Sequence, residues 1–502
     1  MNKNSRPNYF LFTVPMTVII AIFAVLFPNN FSKTLETLMV FFFTMFDWFI
    51  IWLPFAAILL IGYLAFHPKI GKYRLGGVDS VPEYRTFSWL SMLFTAGIGV
   101  GIVFFGPIEG VLEYLNSNLA QRAYFSPSEA QNAAMGITVW LWGIPAWGFY
   151  SIGGLIVAYF AYRHNTEFIT SAAIEKAFSK KKWAKKVAIV STTLIIIATA
   201  ISIAASYTMS AQQVNAGINY LLGTNYDIKI YILIISSILI ALFSILPISK
   251  GMKLLGDFTV YITIFILAII FLFGPTRYFM MVIIENIGNV ITSTVKYSFN
   301  LWIYEDRKWM VWYAIFYWVY WITWTPFVGT FLAKISKGRT IKEFLLASTL
   351  VPSGFLLVWF SVFSGYALLD TINGSGTIMK VASSPQYEGT VYQLLDLMPF
   401  SGFTKIVVVI LFTAFVITTA VSGAISLGMM TSKDGITITK KNTLIWAIIM
   451  PCIGFAALVS GKIEGIKALG TFSGFPGMFF LLLCVAGLLK QLRKDFKNKG
   501  DE

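Results

Sequence analysis

Residues 95–102 have the sequence Thr-Ala-Gly-Ile-Gly-Val-Gly-Ile and lie within an apolar segment that extends from 89 to 117. Glycines at 97, 99 and 101 weaken a helix, because glycine loses more conformational freedom on folding than any other residue. The G-x-G-x-x-G spacing and the preceding strand of a dinucleotide site are both missing. Two interpretations remain: close helix packing through small residues, or an unwound stretch whose free amides and carbonyls line a cavity.

The composition around this stretch indicates a membrane protein. The chain has 502 residues, of which 57% are hydrophobic and only 12% are charged. Soluble domains carry about 25% charged residues, so these numbers exclude a cytosolic globular enzyme. Apolar runs of about 20 residues recur along the chain, which is the length that spans a bilayer core as a helix.

Twelve apolar segments predict an all-α polytopic membrane protein with 12 transmembrane helices, because runs of this length must pair their backbone groups internally. A further segment, 276–308, mixes apolar and polar residues at helical spacing and predicts a helix on the outer surface. The predicted spans are 8–28, 46–66, 89–117, 133–162, 187–217, 229–248, 254–274, 309–334, 343–369, 402–431, 442–461 and 470–490.

The basic residues predict the orientation of these spans. The formal net charge is +15, and most of the 38 Lys and Arg residues fall in alternate loops and in both tails. Cytoplasmic loops carry the excess of Lys and Arg, so both termini are expected in the cytoplasm of a protein of the cell membrane, plasma or inner. The charge therefore indicates membrane orientation and contact with lipid, and no nucleic-acid partner is expected.

A second interrupted span is predicted five helices after the first, where Pro326 and Gly329 follow an aromatic run. Broken helices at matching positions of two halves indicate an inverted-repeat transporter that works by alternating access. The expected units are 1–88 with two peripheral helices, 89–275 and 309–490 as the five-helix repeats, 276–308 as the surface helix, and 491–502 as a short tail.

Aromatic residues near the helix breakers predict the binding site. Trp142, Trp147 and Tyr150 share one broad face of a helix at 100° per residue. Tryptophan also recurs at 318, 321 and 324 in the second interrupted span. Such stripes often serve packing or an interfacial belt. Because both clusters lie in mid-span and contain no charged residue, they favour an aromatic cage for a trimethylammonium group, held by cation–π attraction.

These motifs, together with Ile335-Ser-Lys-Gly-Arg-Thr-Ile-Lys-Glu-Phe344, resemble the betaine/carnitine/choline transporter family over nearly the whole chain. The resemblance implies a leucine-transporter-type core of five plus five helices behind two extra helices, and a homotrimer. It also implies secondary transport of a trimethylammonium substrate rather than an enzyme. The implied substrate residues are Trp142, Trp147, Tyr150, Trp321, Trp324, Gly97, Gly99 and Gly101.

The same resemblance implies sodium as the coupling ion and no cofactor. In the sodium-coupled branch one site uses two adjacent hydroxyl residues with backbone carbonyls, and the matching residues here are Thr95, Ile98, Phe415, Thr418 and Thr419. A threonine pair in a membrane helix also serves helix packing, so the residues by themselves leave both roles open. A second sodium site of the family needs two hydroxyls four residues apart, and here isoleucine stands at 203, four residues after Thr199.

The sequence therefore predicts sodium-coupled import, with glycine betaine as the first substrate to test. A sodium-independent carnitine/betaine exchanger and a choline uptake carrier stay open as alternatives. The exchangers of the family carry an arginine on helix seven where this chain has Thr259, which favours ion-coupled import. Choline carriers of the family that use protons have an aspartate in place of Gly101.

Overall fold

The helices follow the apolar segments of the sequence. The computed structural model describes residues 6–99, 101–117, 126–383, 389–459 and 463–497. Within these ranges the regular structure is helical, without a strand, which confirms the all-α class. The first ten helices are α1 (Tyr9–Leu26), α2 (Pro28–Ile50), α3 (Leu53–Phe66), α4 (Thr86–Ile98), α5 (Gly101–Asn116), α6 (Pro127–Trp142), α7 (Ile144–His164), α8 (Ala172–Ala177), α9 (Lys182–Leu222) and α10 (Lys229–Ser244).

The remaining helices continue to the C-terminal tail. They are α11 (Met252–Phe273), α12 (Thr276–Ser298), α13 (Phe316–Ile335), α14 (Ile341–Asn373), α15 (Thr377–Ala382), α16 (Thr390–Asp396), α17 (Ser401–Met430), α18 (Lys440–Val459), α19 (Ile463–Phe472) and α20 (Gly474–Lys497). By length and composition, nine helical segments of the described residues are able to cross a membrane, or up to eleven when each of two bent pairs forms one span.

The helix at the glycine-rich stretch is broken. α4 ends at Ile98, α5 begins at Gly101, and their axes differ by 60°. Gly99 has a φ of +56°, in the left-handed region that residues other than glycine rarely adopt. The last carbonyls of α4 therefore have no partner within their own helix.

The second predicted interruption is absent, because α13 continues through Pro326. Proline removes one hydrogen bond from a helix, but the neighbouring helix α7 packs closely enough to hold α13 in place. A Cβ atom on Gly329 would lie 2.7 Å from the backbone of Gly153 and Gly154 in α7. The backbone irregularity lies earlier instead, in one wide helical turn at Met310–Ile315.

Two other predicted spans have different limits. The second span starts near residue 28 rather than 46 and bends by 41° between α2 and α3. Asn30, Lys33 and Glu36 obscure this start, because they interrupt the hydropathy of a helix that is apolar only on one face. The fourth span divides at Gly143 into α6 and α7. The predicted unit boundaries at 88 and 490 lie inside α4 and α20.

Ionic contacts bring Arg6 and Asp495, near the two limits of the described residues, to one end of α7. The guanidinium of Arg6 lies 2.7 Å from the carboxylate of Glu167, which follows α7. The carboxylate of Asp495, near the end of α20, lies 3.0 Å from Arg163 and 2.8 Å from His164 at the end of α7. The N-terminal and C-terminal segments therefore meet the same end of α7.

The motif 335–344 joins α13 to the start of the broken helix. Backbone hydrogen bonds connect Leu75 with Gly338 and Arg339 on this side of the bundle. The guanidinium of Arg339 lies 4.4 Å from the ring centre of Trp89, and the indole N–H of Trp89 donates to Ser336 at 2.9 Å. The N-terminal end of α4 and the C-terminal end of α13 are thereby held together.

The close contact between α7 and α13 predicts the effect of a small substitution. Gly329→Ala places a methyl group against the backbone of α7 and should destabilise the protein by about 1–3 kcal/mol. Gly62→Ala is the matched control, because a Cβ at this helical glycine meets no atom within 4 Å and should be neutral or stabilising. Thermal midpoints of the purified proteins in detergent measure the difference. Equal midpoints would contradict the packing described here.

Candidate functional site

A cavity of about 280 Å³ lies beside the break between α4 and α5. Its wall is formed by the broken helix together with α6, α9, α13, α17 and α19. Among the described residues, no Asp, Glu, Lys, Arg or His lines this cavity. The volume is near the lower limit of small-molecule sites, which are typically about 300–1,000 Å³.

Four of the predicted aromatic residues form one continuous cluster. The ring centres of Trp142 and Trp321 are 5.2 Å apart, those of Trp321 and Tyr150 5.8 Å, and those of Tyr150 and Trp147 5.5 Å. The ring planes are close to perpendicular, at 80°, 84° and 87°. We call these four residues the aromatic cluster. All four are buried, and Trp142 and Trp321 line the cavity directly.

The glycines of the broken helix allow these rings to reach the backbone. A Cβ atom on Gly97 would lie 2.9 Å from the ring of Trp147, and one on Gly101 would lie 3.0 Å from the ring of Trp142. Any larger residue at either position would displace a ring of the cluster. Both interpretations of the glycine-rich stretch therefore apply: the chain unwinds at Gly99, and it packs closely at the other two glycines.

The break between α6 and α7 fixes the orientation of Trp321. α6 ends at Trp142, so the carbonyl of Leu141 lies in the last turn and needs a partner outside the helix. The indole N–H of Trp321 donates to this carbonyl at 3.0 Å. One hydrogen bond thus satisfies the helix end and holds the central ring of the cluster.

The tryptophans at 318, 321 and 324 do not share one environment. Trp321 and Trp324 line the cavity, whereas Trp318 packs against Trp140 with ring centres 4.9 Å apart. A spacing of three residues rotates the side chain by about 60° around a helix, so Trp318 lies about 60° from Trp321 and about 120° from Trp324, on the side of α13 that faces Trp140. The ring of Trp324 lies 5.1 Å from Phe327 and 5.6 Å from Tyr320, and Tyr320 in turn lies 5.8 Å from Trp321. Trp324 is therefore joined to the four-ring cluster through Tyr320.

A polar strip on α9 faces the aromatic side of the cavity. Ser202, Ser206, Ser210 and Gln213 line the cavity at nearly regular helical spacing. The hydroxyl of Ser202 and the amide oxygen of Gln213 are both buried. Neither atom has a hydrogen-bond partner among the described residues. The sequence analysis did not include this strip, although a serine at every fourth position of an apolar helix is a visible signal.

The predicted sodium ligands lie around the same break. The buried hydroxyl of Thr419 has no hydrogen-bond partner among the described residues and lies 3.3 Å from the Cβ position of Gly99. Thr418 donates its hydroxyl to the carbonyl of Phe415 at 3.0 Å. Thr95 and Ile98 belong to the last turn of α4, where carbonyls are free. Neutral oxygens beside an unwound helix are a set that suits a small monovalent cation.

A polytopic helical protein with a broken helix beside an aromatic cavity is typical of membrane transporters. Residues 8–497 match the model of the betaine/carnitine/choline family transporters. The chain belongs to this family. Its members are transporters and not enzymes.

Individual relatives match along most of their length. The chain is 32% identical to a glycine betaine transporter of Acinetobacter baylyi, over 98% of this chain and 74% of the relative. It is 29% identical to the glycine betaine transporter OpuD of Bacillus subtilis, over 97% and 94%. It is 27% identical to an ectoine/hydroxyectoine transporter of Virgibacillus pantothenticus, over 99% of each chain.

The central place of Trp321 in the cluster leads to a prediction. Trp321→Leu removes one indole face and should weaken the binding of glycine betaine by about 1–2 kcal/mol, the range of a desolvated cation–π contact. Trp312→Leu is the matched control, because Trp312 lines the cavity outside the cluster. Equilibrium titration in detergent measures both affinities. A Trp321→Leu affinity equal to that of the control would show that this ring does not contact the cation.

Proposed function

We propose that this protein imports a trimethylammonium compound, with glycine betaine as the preferred substrate, by alternating access coupled to sodium. The observation that carries the proposal is the aromatic cluster in a cavity without charged lining residues among those described. A quaternary ammonium carries a diffuse charge and has no N–H to donate, so aromatic faces attract it without a carboxylate partner. The printed names of two relatives, both glycine betaine transporters, support the same substrate.

The polar strip on α9 and the break between α4 and α5 would receive the other end of such a substrate. Ser202 and Gln213 line the same cavity as the aromatic residues and have unpartnered polar atoms among the described residues. Free backbone amides at the start of α5 attract an anion, as helix N-termini do. Glycine betaine carries a cation and a carboxylate, and so matches both sides of the cavity.

Sodium coupling is supported by the neutral oxygens around Gly99. The buried hydroxyl of Thr419 has no hydrogen-bond partner there among the described residues. Burial of an unpaired polar group costs free energy, and a bound ion would offset this cost. An ion bound at this position would connect α17 to the broken helix and favour one conformation of the transporter. Transport would then require sodium.

We further propose the twelve-span arrangement with two five-helix inverted repeats and cytoplasmic termini. The contacts of Arg6 with Glu167 and of Asp495 with Arg163, both at one end of α7, support an even number of spans with both tails on one side. The loops on this side carry most of the basic residues, which favours the cytoplasm. A homotrimer of this chain completes the proposed assembly.

An exchanger that works without sodium is the second candidate. Thr259 stands where the family resemblance implies an arginine in such exchangers. It is fully buried in α11 and donates its hydroxyl to the carbonyl of Leu255 at 2.7 Å. No fixed cation replaces sodium at this residue, so the sodium-coupled mechanism is favoured.

Uptake into proteoliposomes tests the coupling. An inward sodium gradient should drive accumulation of labelled glycine betaine several-fold above the level in potassium. Thr419→Val removes the free hydroxyl with little change in volume and should weaken the apparent sodium affinity at least about tenfold, equivalent to 1.4 kcal/mol. Thr413→Val is the matched control, because its hydroxyl donates to Val409 of its own helix.

Two results would contradict this mechanism. Equal uptake in sodium and potassium would exclude sodium coupling. Uptake that needs unlabelled substrate inside the vesicles would identify an exchanger. Parallel assays with choline and carnitine distinguish the alternative substrates.

A further inference from the structure

Two glutamates that the proposed transport cycle does not use lie inside the helix bundle. Glu109 and Glu113 are both fully buried in α5. Residues four apart on a helix lie one turn apart on the same face, with Cβ atoms about 5–6 Å from each other. The two carboxyl groups are therefore neighbours in a low-dielectric environment.

Hydrogen-bond donors face one side of each carboxyl group, and the indole N–H of Trp142 faces Glu109 in addition to Tyr317. The Oε2 atom of Glu109 accepts from the hydroxyl of Tyr317 at 3.0 Å. The Oε2 atom of Glu113 accepts from the indole N–H of Trp309 at 2.8 Å. Both Oε1 atoms are buried and have no hydrogen-bond partner among the described residues.

No positive charge compensates this pair in the described part of the chain. None of the ion pairs among the described residues includes Glu109 or Glu113. The other titratable groups that face the pair are phenols, Tyr317 beside Glu109 and Tyr313 near Tyr317. Two buried carboxylates without a cation would repel each other and would each lose the solvation of water.

We propose that Glu109 and Glu113 form a proton-binding site, in which the pair holds one proton in the conformation described here. The bound proton converts one carboxylate into a neutral carboxylic acid, so that at most one negative charge remains inside the bundle. The unpartnered Oε1 atoms are the available positions for this proton. Ionisable groups inside membrane helices are paired, neutralised or used for ion transfer, and this pair has no protein cation.

The site is connected to the aromatic cluster through Tyr317. The ring of Tyr317 lies 5.6 Å from Trp142 and 6.3 Å from Trp321. Loss of the proton would strengthen the hydrogen bond from Tyr317 to Glu109 and bring a negative charge next to this wall of the cavity. The protonation state is thereby able to influence the position of two rings that line the substrate site.

Infrared spectroscopy of the full chain in lipid tests the proton directly. The wild type at neutral pH should show the C=O stretching band of a buried carboxylic acid. The double variant Glu109→Gln/Glu113→Gln should lose this band, whereas Glu285→Gln, which removes an exposed carboxylate of α12, should keep it. A double variant that retains the wild-type band would overturn the proposal. The wild type could instead lack the band and show a carboxylate signal that shifts on addition of sodium. This result would identify a metal cation in place of the proton and would also overturn the proposal.

A second measurement uses single substitutions and needs neither substrate nor sodium. Glu113→Gln is close in shape to the neutral acid and should fold. Raising the pH from neutral to alkaline should lower the thermal midpoint of the wild type, because deprotonation leaves two buried charges. The midpoint of Glu113→Gln should depend much less on pH. Identical pH profiles for wild type, Glu109→Gln and Glu113→Gln would contradict the site, whatever the transported substrate proves to be.

Discussion

An interrupted helix inside a membrane leaves backbone groups that lipid is unable to satisfy. The arrangement of this protein follows from that constraint at Gly99, where α4 ends and the chain turns by 60° into α5. The free carbonyls and amides must face protein, water or a ligand, and the surrounding helices enclose a cavity at this point. Glycines at 97 and 101 let two tryptophan rings approach the same backbone.

The cavity combines this polar break with an aromatic wall. Because its lining lacks charged residues among those described, the proposed recognition depends on ring faces, hydroxyls and backbone groups. Such a wall suits a cation that sheds water at low cost and disfavours ions that need a fixed counter-charge. The low content of charged residues in the sequence is therefore relevant to substrate recognition as well as to solubility in lipid.

The sequence predicted the break, the helical class and the residues of the aromatic cluster, because each depends on a local pattern. Glycines at alternate positions mark the break, and the spacing of Trp142, Trp147 and Tyr150 places their rings on one face. The interruption predicted at Pro326 is wrong. α13 continues through this residue because it packs against α7, a helix that is remote in sequence. The orientation of Trp321 likewise depends on a distant helix end.

Other parts of the site lacked a decisive local signal. Glu109 and Glu113 share one face of α5, but nothing in their spacing shows that this face points to the interior. The polar strip of α9 was not predicted because serine is common in membrane helices, where it also serves packing. Sequence periodicity identifies a face of a helix, but the neighbour of that face is fixed only by the tertiary structure.

The central claim is that an aromatic wall holds the positive charge of the substrate. The most direct test compares the affinities of glycine betaine and 3,3-dimethylbutanoate, in which a carbon atom replaces the nitrogen and the shape is retained. Desolvated cation–π contacts of about 1–2 kcal/mol predict that glycine betaine binds at least several-fold more tightly. Equal affinities would show that shape and apolar contact alone account for binding, and would contradict the claim.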